Sequence, residues 1–352
     1  MFRASLKALF CLFAVLFIFS CKKGEGQITP PPPPAPAPPE APRFAINAGL
    51  VTPGATKEAT ALYQFLKDNY GKKILSGVMT LNSFDETSWL KTNTGKEPAI
   101  VGLDFMHCNR NYTWYDNEQP IKDAKTYWDR NGIPVLCWHW RDPSRKTEEF
   151  YTSKTSFDVS KINDPASDEY KAMISDIDFV AGLLKKLQEQ NVPVIWRPLH
   201  EAAGGWFWWG AKGAAPCKKL YQVMYDRMVN FHGLKNLVWV WTREPNDNDW
   251  YPGDAYVDIV GRDIYKQGDH SSQINEFNTL NALYGTKKMI TLSECGSIPD
   301  VDNLVADGAA WSWFMPWYGD YTRKDIHNSL DLWKKLFASS YVLTLDEMPS
   351  LK

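Results

Sequence analysis

Two glutamates stand where carboxylate chemistry would need them. Glu201 closes the run Val192-Pro193-Val194-Ile195-Trp196-Arg197-Pro198-Leu199-His200-Glu201, and the chain then breaks into Ala-Ala-Gly-Gly-Trp206-Phe207-Trp208-Trp209-Gly210. Glu294 closes Lys288-Met289-Ile290-Thr291-Leu292-Ser293-Glu294. An apolar, β-branched run ending in a carboxylate has the pattern of a buried parallel strand that opens at a site. A carboxyl group can protonate a glycosidic oxygen, and indoles offer flat apolar faces to the C–H faces of pyranose rings. The plainer alternative, weighed on the first stretch alone, is a strand ending in a solvated Glu with the Trp residues in the core.

Stepping through the chain gives the elements that would hold these residues. Strand-like runs cover Lys73–Thr80, Pro98–Phe105, Ile133–Trp140, Val192–Glu201, Leu237–Trp241, Val257–Tyr265, Lys288–Glu294 and Ala309–Phe314. Helical spacing is present in Glu58–Tyr70, Ile121–Arg130, Asp168–Gln190, Lys218–Phe231, Gln273–Tyr284 and Ser329–Tyr341. Strands alternating with helices predict a parallel α/β architecture, and the count predicts a (β/α)8 TIM barrel in a single catalytic domain. No glycine-rich nucleotide fingerprint follows the first strand. Arg141–Ser167 has no clear period, and so long a loop is expected to wall one side of a cleft.

Polar residues gather at the C-terminal tips of these strands: Asp104 and His107, His139, Glu201, Arg243 and Glu244, Asp263 and Tyr265, Glu294, and Trp317. In a barrel all such tips share the face where chemistry sits. Any one of them alone would read as a solvated strand end or a satisfied core residue. Glu201 and Glu294, three strands apart in an eight-membered ring, would oppose each other across the mouth.

Composition narrows the remaining choices. The chain has 352 residues and a formal net charge of −2, which gives no reason to expect nucleic acid as a partner. It carries 16 Trp and 14% aromatic residues, more indole than a core is expected to need. Residues 1–21 read as a lipoprotein-type signal, a basic start and a short apolar core ending at Cys21, which would be acylated. Residues 22–43 read as a Pro-rich linker, with Thr29–Pro42 nearly all proline and alanine. The catalytic domain is then 44–352. The protein is expected to be exported and held at a membrane by its lipid anchor, in the periplasm or on the outer-membrane surface, and to be a monomer. Cys108, Cys137, Cys217 and Cys295 show no metal spacing, and Cys137 and Cys295 are expected to be buried free thiols.

The sequence Trp196-Arg197-Pro198-Leu199-His200-Glu201, with Ile290-Thr291-Leu292-Ser293-Glu294, resembles glycoside hydrolase family 26, whose main activity is endo-β-1,4-mannanase. The similarity runs from about residue 55 to the end and includes Trp250-Tyr251-Pro252-Gly253-Asp254 and Phe314-Met315-Pro316-Trp317. A His before the first carboxylate, as His200 here, is typical of that family.

The resemblance implies a retaining (β/α)8 glycosidase with Glu201 as acid/base and Glu294 as nucleophile, cleaving mannan, glucomannan or galactomannan. It implies that His200 bonds near the nucleophile and that Trp206 stacks on sugar beside the cleavage point. It also implies that His139, Asp263 and Tyr265 line the cleavage subsite over a Trp317 platform. Some members have Arg where this chain has Tyr318. No metal or other cofactor is implied. The same barrel could act on β-glucan or β-1,3-xylan, or release mannobiose from a chain end. A glycan-binding lipoprotein without turnover is the alternative from a different class.

Overall fold

The computed structural model describes residues 44–245 and 247–352; the signal and linker expected over 1–43 lie outside the described residues. Eight strands form the barrel: β1 Ile74–Met79, β2 Ile100–Asp104, β3 Ile133–Cys137, β4 Val194–Arg197, β5 Leu237–Arg243, β6 Ile259–Ile264, β7 Met289–Cys295 and β8 Trp313–Pro316. All neighbouring pairs are parallel, and β1 pairs with both β2 and β8, so the sheet closes. A two-residue strand, β9 Val342–Leu343, pairs with the start of β1. Nearly every strand residue is buried, which is why the strands read as continuous apolar runs rather than alternating ones.

Among the described residues nine α-helices accompany the barrel: α1 Lys57–Asn69, α2 Asp85–Thr94, α3 Gln119–Asp129, α4 Asp168–Glu189, α5 Ala214–Tyr225, α6 Ile274–Tyr284, α7 Val301–Asp307, α8 Asp320–Arg323 and α9 Leu330–Ala338. Thr56, Ser167, Asp300 and Ser329 each cap a helix, accepting a backbone N–H of its first turn. Among the described residues β5 is followed by only a 3-10 turn, Asn248–Trp250.

The expected eightfold alternation is present, with corrections in its detail. Helices α2, α7 and α8 are additional to those expected. α2, Asp-Glu-Thr-Ser-Trp-Leu-Lys-Thr-Asn-Thr, has too few apolar residues to show a period. The helix expected over Lys218–Phe231 begins earlier and ends at Tyr225, with a wider π turn over Asp226–Phe231. β3 stops at Cys137 because the next polar backbone group leaves the ladder: the His139 N–H donates to Asp104 Oδ1 at 3.0 Å. The loop 141–167 holds a 3-10 turn at Val159–Asn163 and a bridge between Tyr151 and Phe207.

Tryptophan distribution corrects the compositional expectation most. Trp140, Trp196, Trp208, Trp209, Trp239, Trp241, Trp311, Trp313 and Trp333 are all fully buried. Some find acceptors, as Trp208 does in the Trp140 carbonyl at 2.6 Å and Trp209 in the His200 carbonyl at 2.9 Å. Most of the indole excess is therefore core. The four cysteines Cys108, Cys137, Cys217 and Cys295 are buried free thiols.

Candidate active site

The two ends of β4 and β7 are irregular where the carboxylates sit. Leu199 and Glu201 both have positive φ, 49° and 53°, a left-handed backbone that L side chains rarely adopt. That kink turns Glu201 out of the strand line into the mouth. On the other side, the pairing of β6 with β7 slips by one residue, from Arg262–Leu292 to Asp263–Glu294. The extra residue is Ser293, whose Oγ donates to Asp263 Oδ1 at 2.6 Å. Gly261 makes room for it, since a Cβ there would lie 2.3 Å from that oxygen. The bulge thus re-aims Asp263 and Glu294 toward the barrel axis.

One carboxylate oxygen from each of Glu201, Asp263 and Glu294 lies within 4.8 Å of the others. Arg197, with no exposed surface, holds this group together. Its Nη1 donates to Asp263 Oδ2 at 2.8 Å, and its Nη2 donates to Glu294 Oε2. The Tyr265 hydroxyl donates to Glu294 Oε1 at 2.5 Å. Glu201 has a sparser set: Trp206 Nε1 donates to its Oε2 at 2.9 Å. Gly204 lets the indole lie close against the backbone, since a Cβ there would meet the ring at 2.1 Å.

Those partners separate the two carboxyls. Burial pushes Glu201 up, and the charges of Asp263 and Glu294 push it further, to about 9. Burial also pushes Glu294 up, but Arg197 and the Tyr265 hydroxyl pull it back. The cation and the hydroxyl on Glu294 thus favour its ionised form, whereas Glu201 has neither and favours its protonated form.

A stability consequence follows from the raised Glu201. A carboxyl whose folded value lies above its unfolded 4.5 costs nothing below that value, and the penalty grows as pH rises toward the folded value. Glu201→Gln removes the penalty. It should raise stability by about 1–2 kcal/mol near pH 8, counting roughly one unit of the shift after solvent screening. The gain should shrink toward zero near pH 4. Urea unfolding midpoints at the two pH values check it; a gain that is equal at both would contradict this origin.

His139 and His200 form a second layer. His139 Nδ1 bonds Asp104 Oδ2 at 2.5 Å, and its Nε2 lies 3.1 Å from His200 Nε2. Burial alone would raise Asp104, but the charge and hydrogen bonds of His139 outweigh it and hold that carboxyl below its ordinary range. Burial together with the charges of His139 and Arg197 drives His200 far down, so its ring is neutral. The bond expected from His200 near the nucleophile runs to His139 and not to Glu294 itself. His200 is fully buried, and its recorded partner is His139, while Arg197 and Tyr265 supply the contacts to Glu294.

The cleft above these groups has a volume of about 550 Å³, and His139, Tyr151, Glu201, Trp206, Phe207, Asp263, Tyr265, Glu294 and Trp317 all line it. All of the expected site residues except the buried His200 therefore face one cavity. Tyr151 brings the loop 141–167 to its wall, as expected. Trp208 and Trp209 lie beneath it in the core. Glu244, Arg262, Lys266 and Glu276 line it too and were not singled out from the sequence as site residues. Glu244 was visible there only as a polar strand tip.

The arrangement is suited to acid-assisted displacement at a sugar carbon. One oxygen of Glu201 and one of Glu294 lie within 4.8 Å of each other, close to the separation of about 5–5.5 Å that a double displacement uses. Asp104, Cys137 and His139 also offer ligand atoms within 4.8 Å of one another, but the Asp–His hydrogen bond already occupies that set.

Comparison with known proteins agrees with this geometry. The sequence profile of glycosyl hydrolase family 26 matches residues 51–347. The chain is 42% identical over 322 residues to a mannan endo-1,4-beta-mannosidase of Thermothelomyces thermophilus, covering 88% of this chain and 66% of that protein. It is 39% identical over 315 residues to mannan endo-1,4-beta-mannosidase B of Piromyces sp, covering 87% of this chain and 54% of that protein. The chain thus spans about half to two thirds of the length of these curated relatives. Among solved structures, a beta-mannanase from a symbiotic protist of the termite Reticulitermes speratus, complexed with gluco-manno-oligosaccharide, superposes with a TM-score of 0.83 at 44% identity. That match covers 87% of this chain and 99% of the other. The Podospora anserina GH26-CBM35 beta-(1,4)-mannanase gives a TM-score of 0.82 at 39% identity, covering 90% of this chain and 71% of the other.

Proposed function

The chain belongs to glycosyl hydrolase family 26, and from that premise we propose that it is a retaining endo-β-1,4-mannanase acting on mannan, glucomannan or galactomannan. The observation that carries this reading is the pair Glu201 and Glu294, close enough for a glycosyl-enzyme and given different partners, a buried guanidinium on Glu294 and an indole N–H on Glu201. Glu294, kept ionised by Arg197 and oriented by Tyr265, attacks the anomeric carbon. Glu201 gives its proton to the leaving glycosidic oxygen. The resulting carboxylate then removes a proton from water, which attacks the same carbon from the opposite face and frees Glu294. Trp317 supports the sugar undergoing attack, His139 and Asp263 border it, and Trp206 stacks beside the bond that breaks.

The test is a time course of product sizes from the domain beginning near residue 43, on linear mannan, branched galactomannan, lichenan and xylan. Mixed manno-oligosaccharides should appear from the earliest points. Mannobiose alone from the start would replace endo attack by chain-end attack. Release from lichenan or xylan only would overturn the substrate while leaving the carboxylate roles standing.

We further infer that Cys21 carries lipid and tethers the domain to a membrane through the Pro-rich linker. The support is the sequence alone: a basic start, a short apolar core and Ser20-Cys21 before the proline run. In cells of the source organism, Cys21→Ser should move the protein from the membrane to the soluble fraction and abolish labelling by radioactive palmitate. Unchanged membrane retention would sink this part of the reading.

A further inference from the structure

The mannanase reading accounts for half of the cleft wall. The chord from β4 to β7, which joins Glu201 to Glu294, divides the ring of strands into two arcs. His139, after β3, and Trp317, after β8, stand on one arc, with their rings 5.4 Å apart. Glu244, after β5, and Arg262, in β6, stand on the other, and both line the same cavity. A polymer whose scissile bond lies between Glu201 and Glu294 must enter both arcs. One arc holds the sugar that Glu294 attacks; the other receives the sugar that departs.

That second arc is polar and built. Arg262 Nη1 donates to Glu244 Oε2 at 3.1 Å, to the Arg243 carbonyl at 3.2 Å and to the Asp263 carbonyl at 3.0 Å. Its Nε donates to Glu276 Oε2 at 3.3 Å. The Glu244 N–H donates to Asp247 Oδ2 at 2.9 Å, which sets the turn after β5. Arg262 thus bonds two carbonyls and Glu276 besides Glu244, which fixes its guanidinium between β5 and β6. Glu244 is largely buried, with its Oε1 lacking any hydrogen-bond partner among the described residues. An acceptor held rigid at one oxygen and open at the other is what a sugar hydroxyl requires.

We propose that Glu244, braced by Arg262, is the hydrogen-bond acceptor for the hydroxyls of the leaving-group sugar. It rests on the mannanase reading and adds to it a residue that binds on the leaving side. Glu244 touches neither the anomeric carbon nor the glycosidic oxygen. It holds the departing sugar so that its oxygen meets Glu201, and in the reverse sense it holds an acceptor sugar for transfer.

The experiment compares two donors that share the attacked sugar and differ in what leaves: mannotetraose and an aryl β-mannobioside. Wild type, Glu244→Gln and Glu244→Asp are each counted by trapping with a 2-fluoro-mannobiosyl fluoride, so that rates are per folded site. The ratio of kcat/KM on mannotetraose to that on the aryl donor should fall about tenfold or more in Glu244→Gln, the order of one hydrogen bond to a charged group. Glu244→Asp, which keeps the charge but draws it back, should lie between. Glu244 is one of the charges that raise Glu201, so its removal moves the basic limb down, and the ratio is read on the acid side of that limb in every variant. An unchanged ratio there would overturn the proposal. So would a ratio that falls only where the basic limb has moved, because Glu244 would then act only through the acidity of Glu201. Absence of cleavage of both donors by wild type would instead overturn the mannanase reading, before any variant is considered.

Discussion

Glu294→Ala should lower turnover of mannan by about 10⁴-fold or more, and Glu201→Ala should do the same on polymer while sparing donors with good leaving groups. The reasons differ, and added azide separates them. Without Glu294 no glycosyl-enzyme forms, and the space left on that face admits a small anion. Azide then attacks the anomeric carbon directly, expels the aryl alcohol of an activated donor and gives a glycosyl azide of inverted configuration. Without Glu201 the nucleophile still attacks an aryl donor whose leaving group needs no proton. The glycosyl-enzyme waits for a base, and azide, which needs none, displaces Glu294. Two inversions give an azide of retained configuration. Proton NMR of the two products reads this directly. Inverted product from Glu201→Ala, or full polymer turnover by Glu294→Ala, would reverse or remove the assignment made from Arg197, Tyr265 and Trp206.

The barrel is legible in the sequence because each strand is buried on both faces and so appears as an unbroken apolar run with a polar tip. The tips are legible for the same reason: Glu201 and Glu294 are the first acidic residues after largely apolar runs. What escapes is whatever depends on a neighbour in space. α2 packs by Trp89 and Leu90 on an otherwise polar decapeptide, too weak a stripe to show a period. The bulge at Ser293 depends on a missing side chain in another strand, at Gly261. The partner of His200 is a histidine 61 positions away, a pairing that no local pattern reveals. Tryptophan content misleads because core and cleft use the same residue; only accessibility separates the 41% exposed Trp206 from the sealed Trp209.

Arg197 is where stability and chemistry meet in a single side chain. It serves a catalytic and a structural carboxylate at once, through Glu294 and Asp263. Arg197→Met keeps much of the volume and removes the charge, leaving two buried carboxylates facing each other without a cation. Breaking a buried pair from one side costs about 3–5 kcal/mol. The loss should depend on pH in a defined sense. In the variant Glu294 loses the cation that pulls it back, and its folded value rises further above its unfolded value. The folded state then holds more protons than the unfolded chain across the interval, so stability falls as pH rises through it. The deficit should be smaller near pH 4, where Glu294 is mostly protonated in the unfolded chain as well as in the folded one, and approach its full size at pH 8. Turnover should follow the same charge. With Glu294 pushed up, the ionised nucleophile forms only at higher pH, and the acid limb of kcat moves upward toward the basic limb set by Glu201. At neutral pH, kcat should fall by about 10²-fold or more. Urea unfolding at pH 4 and pH 8, beside the kcat profile, checks both halves. An equal deficit at the two pH values with an unmoved acid limb would mean that Arg197 contributes packing alone, and that the ionisation of Glu294 is held by something else.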